Sequence, residues 1–120
     1  MTIRLKKAGE HSVEETEWGH LEWYASAAIG NSETMTVGLC VIRPGNANGR
    51  HWHPDCDEIL TVVEGHIVHS WNDEEFVMNE GDVVSIPSGV VHNARNIGDT
   101  DARLSISFSS ARRTTLGEEG

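Results

Sequence analysis

A chain of 120 residues and 13.2 kDa has room for one core and not for two. Its formal charge of −10, with the nine Lys and Arg unclustered beyond Lys6-Lys7 and Arg112-Arg113, excludes a phosphate-neutralising surface, and with it nucleic acid or an anionic membrane as partner. No run of about 18 apolar residues could span a bilayer, the first twelve residues lack the apolar stretch of a signal peptide, and Cys40 and Cys56 read as two free thiols, so a soluble, cytoplasmic protein is expected.

In chain order, residues 1–29 read as an extra strand or a dimer arm. Within them, 10–17 (GEHSVEET) is the one stretch that could hold a helical turn, and Trp18 and Trp23 bracket a surface or partner-facing segment. Residues 34–42 alternate as a strand closed by the turn Arg43-Pro44-Gly45-Asn46. Two strands flank Glu64-Gly65; a two-residue hairpin turn there would set Val62 opposite Ile67, Leu60 opposite His69 and Glu58 opposite Trp71. Residues 82–86 precede the turn Pro87-Ser88-Gly89, 102–109 alternate cleanly, and 111–120 form a surface tail. The period is two and no apolar 3.6 repeat is sustained, which predicts a single all-β domain with its core over about 30–110, built as a sandwich or barrel.

Strand alternation points His51 and His53 to one face and Trp52, a packing or dimer-contact residue, to the other. Buried imidazoles without partners cost about 1–3 kcal/mol apiece, and a divalent ion satisfies both at once. The excursion Pro54-Asp55-Cys56-Asp57 lets the chain bend and return Glu58 to the same centre, and His92 re-enters after the Pro87-Ser88-Gly89 turn as a third imidazole. Three His and one Glu suit Fe, Mn, Co, Ni, Cu or Zn as a single divalent ion and disfavour soft thiolate metals. With Glu58 inward, the strand phase nominates Leu60, Val62, His69 and Trp71 as pocket lining, joined by Ala94 and Asn96 on the face of His92. His69 reads either as a pocket acid or base or as a lining residue, Tyr24 as a pocket phenol or a strand residue, and Cys56 as an idle loop thiol. Arg43 and Arg95 are candidate anion anchors, Arg95 being out of phase with His92, while His11, His20 and His66 read as exposed. Metal affinity is expected to fall below about pH 6.5, where free imidazole protonates.

The two stretches resemble the paired motifs of the cupin superfamily. G-x5-H-x-H-x4-E-x6-G is filled by Gly45, His51, His53, Glu58 and Gly65, and G-x5-P-x-G-x2-H-x3-N by Gly81, Pro87, Gly89, His92 and Asn96, with 15 residues between them. The resemblance implies a small jelly-roll β-barrel, one metal on those four side chains, and a homodimer. It leaves the reaction open. A dioxygenase-type or metal-assisted isomerase, lyase or cyclase acting on a small oxygen-rich molecule is one expectation; a non-catalytic ligand- or metal-binding module is the other.

Overall fold

The computed structural model describes residues 2–118. They form eleven strands and no helix, so none of them belongs to a helix long and apolar enough to cross a membrane. One sheet carries β1 (Ser12–Glu15), β2 (Gly19–Ala25), β3 (Thr36–Ile42), β5 (Glu58–Glu64), β8 (Val83–Ile86) and β10 (Ala102–Phe108), in the order β1-β2-β3-β10-β5-β8. The other carries β4 (His51–Trp52), β6 (Ile67–Trp71), β7 (Glu74–Met78), β9 (His92–Asn96) and β11 (Leu116–Gly117), in the order β11-β4-β9-β6-β7. Every pairing is antiparallel, and the sheets face one another as a jelly-roll barrel.

The period-two pattern dictates the core. Along β10 every second residue is buried, from Ala102 through Leu104 and Ile106 to Phe108, and these meet Ile67, Met78 and Ala94 from the opposite sheet.

The strands flanking Glu64-Gly65 are not a hairpin. β5 pairs with β10 and β8 while β6 pairs with β7 and β9, so the turn carries the chain from one sheet to the other. Gly65 has φ +95°, and a Cβ there would meet Ala102 Cα at 3.1 Å, which explains the glycine. The inward phase of Leu60, Val62, Ile67 and His69 is as expected, since either arrangement buries the same alternate residues; Trp71 departs from it. It ends its strand 41% exposed, with its ring edge-on to Phe76 at 5.0 Å.

Residues 12–15 form β1, paired with β2, rather than a helical turn, because β2 offers a free edge to receive them. Tyr24 belongs to β2, and its hydroxyl donates to Glu22 at 3.2 Å. His11 and His20, expected to be exposed, are half-buried, each 3.0 Å from the Glu22 carboxylate. His66 is exposed.

Candidate metal centre

His51 opens β4 and His92 opens β9, and the two are direct cross-strand partners. His53 follows β4 immediately, and Glu58 is the first residue of β5 on the facing sheet. The intervening excursion is pinned where sequence spacing alone could not place it. The His53 carbonyl accepts from the Gly89 amide at 2.9 Å and the Ser88 hydroxyl at 3.2 Å, and Asp57 accepts from the Ser88 amide at 3.0 Å. The turn before His92 thus clamps the loop between His53 and Glu58, and one donor atom from each of the four residues lies within 4.8 Å of the others.

Hydrogen-bond chemistry tests whether the group suits a metal. Nδ1 of His51, His53 and His92 each faces a backbone carbonyl, of Gly49 at 2.7 Å, Thr114 at 3.1 Å and Val90 at 3.0 Å. A carbonyl only accepts, so each Nδ1 carries the hydrogen and a neutral ring is left with an acceptor at Nε2. Nε2 of His92 lies 3.1 Å, and that of His53 3.3 Å, from the same Glu58 oxygen. The His53 contact is not in hydrogen-bonding geometry, and its Nε2 is buried without a partner. Acceptors facing a carboxylate repel unless a cation lies between them, and carbonyl-anchored Nδ1 atoms are the usual support of metal-bound histidines. The donor set fits one divalent transition metal.

Burial shapes the charge states. It lowers His51, with help from neighbouring His92, to about 4, so this ring is a neutral ligand at ordinary pH. Burial works to raise the Glu58 carboxyl, but contacts with His53 and His92 outweigh it and hold it down to about 2. Cys56 is buried, and burial followed by the neighbouring Asp55 charge pushes its thiol up to about 11. Burial likewise raises Cys40, and both cysteines are free. Neither is an activated nucleophile.

The cluster opens onto a cavity of about 330 Å³ with apolar walls that include Trp18, Leu21, Trp23, Leu60, Ile106 and Phe108. Among the nominated residues, Leu60, His69 and Ala94 line it; Val62, Trp71 and Asn96 do not. Val62 is packed into the core, and Trp71 lies at a strand end in solvent. Asn96 is a backbone strut: its Nδ2 donates to the Ile42 and Thr100 carbonyls and its Oδ1 accepts from the Gly98 amide, all at 2.8 Å. His69 is wholly buried, its ring 5.6 Å from and nearly parallel to that of His92, with neither nitrogen hydrogen-bonded among the described residues. Burial lowers it to about 4.

Arg43 and Arg95 are both exposed and lie outside the cavity lining; Arg43 binds the Glu17 carbonyl and Arg95 lies 3.9 Å from Glu75. The cations on its wall are Arg50 and Arg113. The tail is no mere surface segment either. β11 pairs with β4, Thr114 supports His53, and Arg113 and Thr115 line the cavity. The head contributes Trp18 and Trp23. Neither was legible from strand phase, because both reach the site by crossing it from outside the two motifs.

Residues 38–108 match the family model described as the cupin domain. The chain belongs to the cupin family. Among curated relatives, the polyketide synthase CurC of Streptomyces cyaneus is 34% identical over 82 residues, covering 68% of this chain and 53% of its own. Oxalate oxidase 2 of Hordeum vulgare is 29% identical over 119 residues, covering 89% of this cupin and 51% of itself. This cupin thus spans about half the length of these relatives. Of solved structures, the Bacillus subtilis oxalate decarboxylase, studied for its Mn(II) centres, superposes with a TM-score of 0.78 at 25% identity, over 86% of this chain and 29% of that one.

Proposed function

We propose that this cupin is a mononuclear metal-dependent enzyme acting on a small oxygen-rich organic molecule. One observation carries the reading: four inward-facing acceptors, on His51, His53, Glu58 and His92, converge at the wall of an apolar cavity large enough for a substrate. A divalent ion held there would supply Lewis-acid polarisation or dioxygen activation. The rest falls to the chain's own residues. Leu60, Ile106 and Phe108 keep water from the reacting atoms, Trp18 offers a flat wall against which a planar substrate can be oriented, and the Nδ1 anchors hold the imidazoles in one tautomer.

The relatives support metal chemistry on small oxygenated molecules and span several reactions, of oxidase, decarboxylase and polyketide type. The cavity favours a substrate larger than a two-carbon acid, since 330 Å³ holds of the order of ten water molecules at about 30 Å³ each. A homodimer belongs to the same proposal and is checked by light scattering, which should return twice the 13.2 kDa chain mass.

The test is turnover of candidate dicarboxylates and polyketide-like enols by protein reconstituted with Mn(II), Fe(II) or Zn(II), in air and under nitrogen, beside the His51→Ala variant. Turnover that His51→Ala abolishes while the fold persists supports the enzyme, and loss under nitrogen assigns it to oxygenase or oxidase chemistry. Metal and ligand binding by a folded protein that turns over no substrate in any of the three metal forms would instead favour a binding module.

A further inference from the structure

We infer that Arg113 is the residue by which the cavity recognises an anionic group, so that the ligand carries a carboxylate or comparable oxyanion beyond the oxygens that chelate the metal. The inference rests on the proposed metal site and adds the ligand's charge to it.

The two arginines on the cavity wall differ in their commitments. Arg50 is fully engaged: Nε pairs with Glu118 at 2.8 Å, Nη1 donates to Ser70 at 3.1 Å and Nη2 to the Asn72 carbonyl at 2.8 Å. Arg113 is not. Nη1 donates to the Thr115 hydroxyl, Nε is buried without a partner, and no carboxylate among the described residues forms an ion pair with it. The acids near it have other partners, and none of them reaches it as an ion pair. Glu14 accepts from the Trp23 indole at 3.2 Å, Asp55 from the Thr114 amide at 3.0 Å, and Glu58 lies in the metal cluster.

The guanidinium is nonetheless held in place. Its Cζ stands 4.2 Å over the Trp23 ring and 5.0 Å from that of Phe108, so two aromatic rings hold it and leave Nη2 as the donor free for an acceptor. Phe108 also touches the metal cluster, its ring edge-on to that of His53 with centroids 5.0 Å apart. Two such 5.0 Å steps put the guanidinium within about 10 Å of a metal ligand, a span that one small molecule can bridge. Charge points the same way. Three neutral imidazoles, one carboxylate and a divalent ion leave the centre cationic, and half-buried Arg113 adds a second positive charge on the wall of the same cavity. A chelating anion neutralises both, and the fork geometry of the guanidinium favours a carboxylate.

Two chelators of like reach at the metal separate this from a packing role: acetohydroxamate, and succinic monohydroxamate, which adds a carboxylate. Both are titrated into Co(II)-loaded protein and followed through the cobalt visible spectrum. Wild type is expected to bind the succinic compound roughly tenfold tighter. Arg113→Met, which removes the charge but keeps an unbranched side chain of similar length, should erase that preference and leave acetohydroxamate within about twofold, and Arg113→Lys should restore part of it. No preference in wild type, or one that survives in Arg113→Met, overturns the inference. So does an equal loss for both chelators, which would mark Arg113 as packing only. Failure of Co(II) to bind at all overturns the underlying metal reading, and is seen separately as an absent cobalt spectrum.

Discussion

Nε2 of His92 lies 3.1 Å from Oε1 of Glu58, while Nδ1 of the same ring gives its hydrogen to the Val90 carbonyl at 3.0 Å. Both nitrogens of one imidazole therefore face acceptors, which a neutral ring cannot satisfy; an imidazolium could, but a metal cation also engages the unpartnered Nε2 of His53 at the same Glu58 oxygen. Purified protein should carry close to one divalent transition metal per chain by plasma mass spectrometry. His92→Ala and Glu58→Gln should each lower metal content at least about tenfold, since each removes one of four donors from a site that cannot replace it. Equal content in wild type and both variants would contradict the assignment.

Acid should destabilise the metal-free protein earlier than carboxylate titration alone would. His51 and His69 sit at about 4 in the fold against 6.5 when free, so between those values the unfolded chain takes up protons that the folded chain refuses. Stability therefore falls as pH drops through 6.5 towards 4, by up to about 1.4 kcal/mol per pH unit for each ring. Glu58, held at about 2 against 4.5, adds a further loss below 4.5. Urea midpoints of metal-free protein at pH 7, 6 and 5 should decline in that order, and a flat series would show that these imidazoles are solvated. The expectation that metal affinity weakens below about pH 6.5 also shifts: for His51, proton competition sets in nearer pH 4.

His69→Leu should raise stability. The ring is wholly buried with two nitrogens that no group among the described residues satisfies, a cost of roughly 1–3 kcal/mol each, and leucine fills similar space without it. A net gain of only about 1 kcal/mol, after the exchange of contacts, should raise the melting temperature of metal-loaded protein by roughly 3–8 °C with metal content unchanged. A fall would show that His69 holds the barrel together through hydrogen bonds.

The metal cluster was legible because its information is local. Alternation fixes His51 with His53, the loop returns Glu58, and one turn restores His92 to the same face, so faces follow without knowing which strands pair. Pairing was not legible: Leu60 and His69 point inward whether β5 and β6 form one hairpin or line two facing sheets, and the alternation is the same in either case. Strand phase also misjudged what happens at strand ends. Trp71 shares the phase of His69 yet lies in solvent, and Asn96 shares that of His92 yet is spent on the Ile42 and Thr100 carbonyls. Arg113 and Thr115 carried no periodic signal, because their segment joins the site through backbone contacts.

That tail segment yields a further expectation. The Thr114 carbonyl is the acceptor that fixes the His53 tautomer, β11 adds a two-residue ladder to β4, and the Glu118 amide donates to the Arg50 carbonyl at 2.9 Å. The Glu118 to Arg50 ion pair is exposed and contributes only about 0.2–1 kcal/mol, so Glu118→Ala should scarcely alter metal binding. A chain ending at Arg113 is different. It keeps every metal ligand and every strand but the edge strand β11, and it frees Nδ1 of His53 from both the Thr114 carbonyl and the Thr115 hydroxyl at 3.2 Å; loss of such a supporting acceptor typically costs 10–100-fold in metal affinity. Competition with a chromophoric chelator should show that loss in the truncated protein while its far-ultraviolet circular dichroism stays that of the full chain. Unchanged affinity would mean that His53 is oriented by the backbone that follows β4 and the Phe108 ring at 5.0 Å alone.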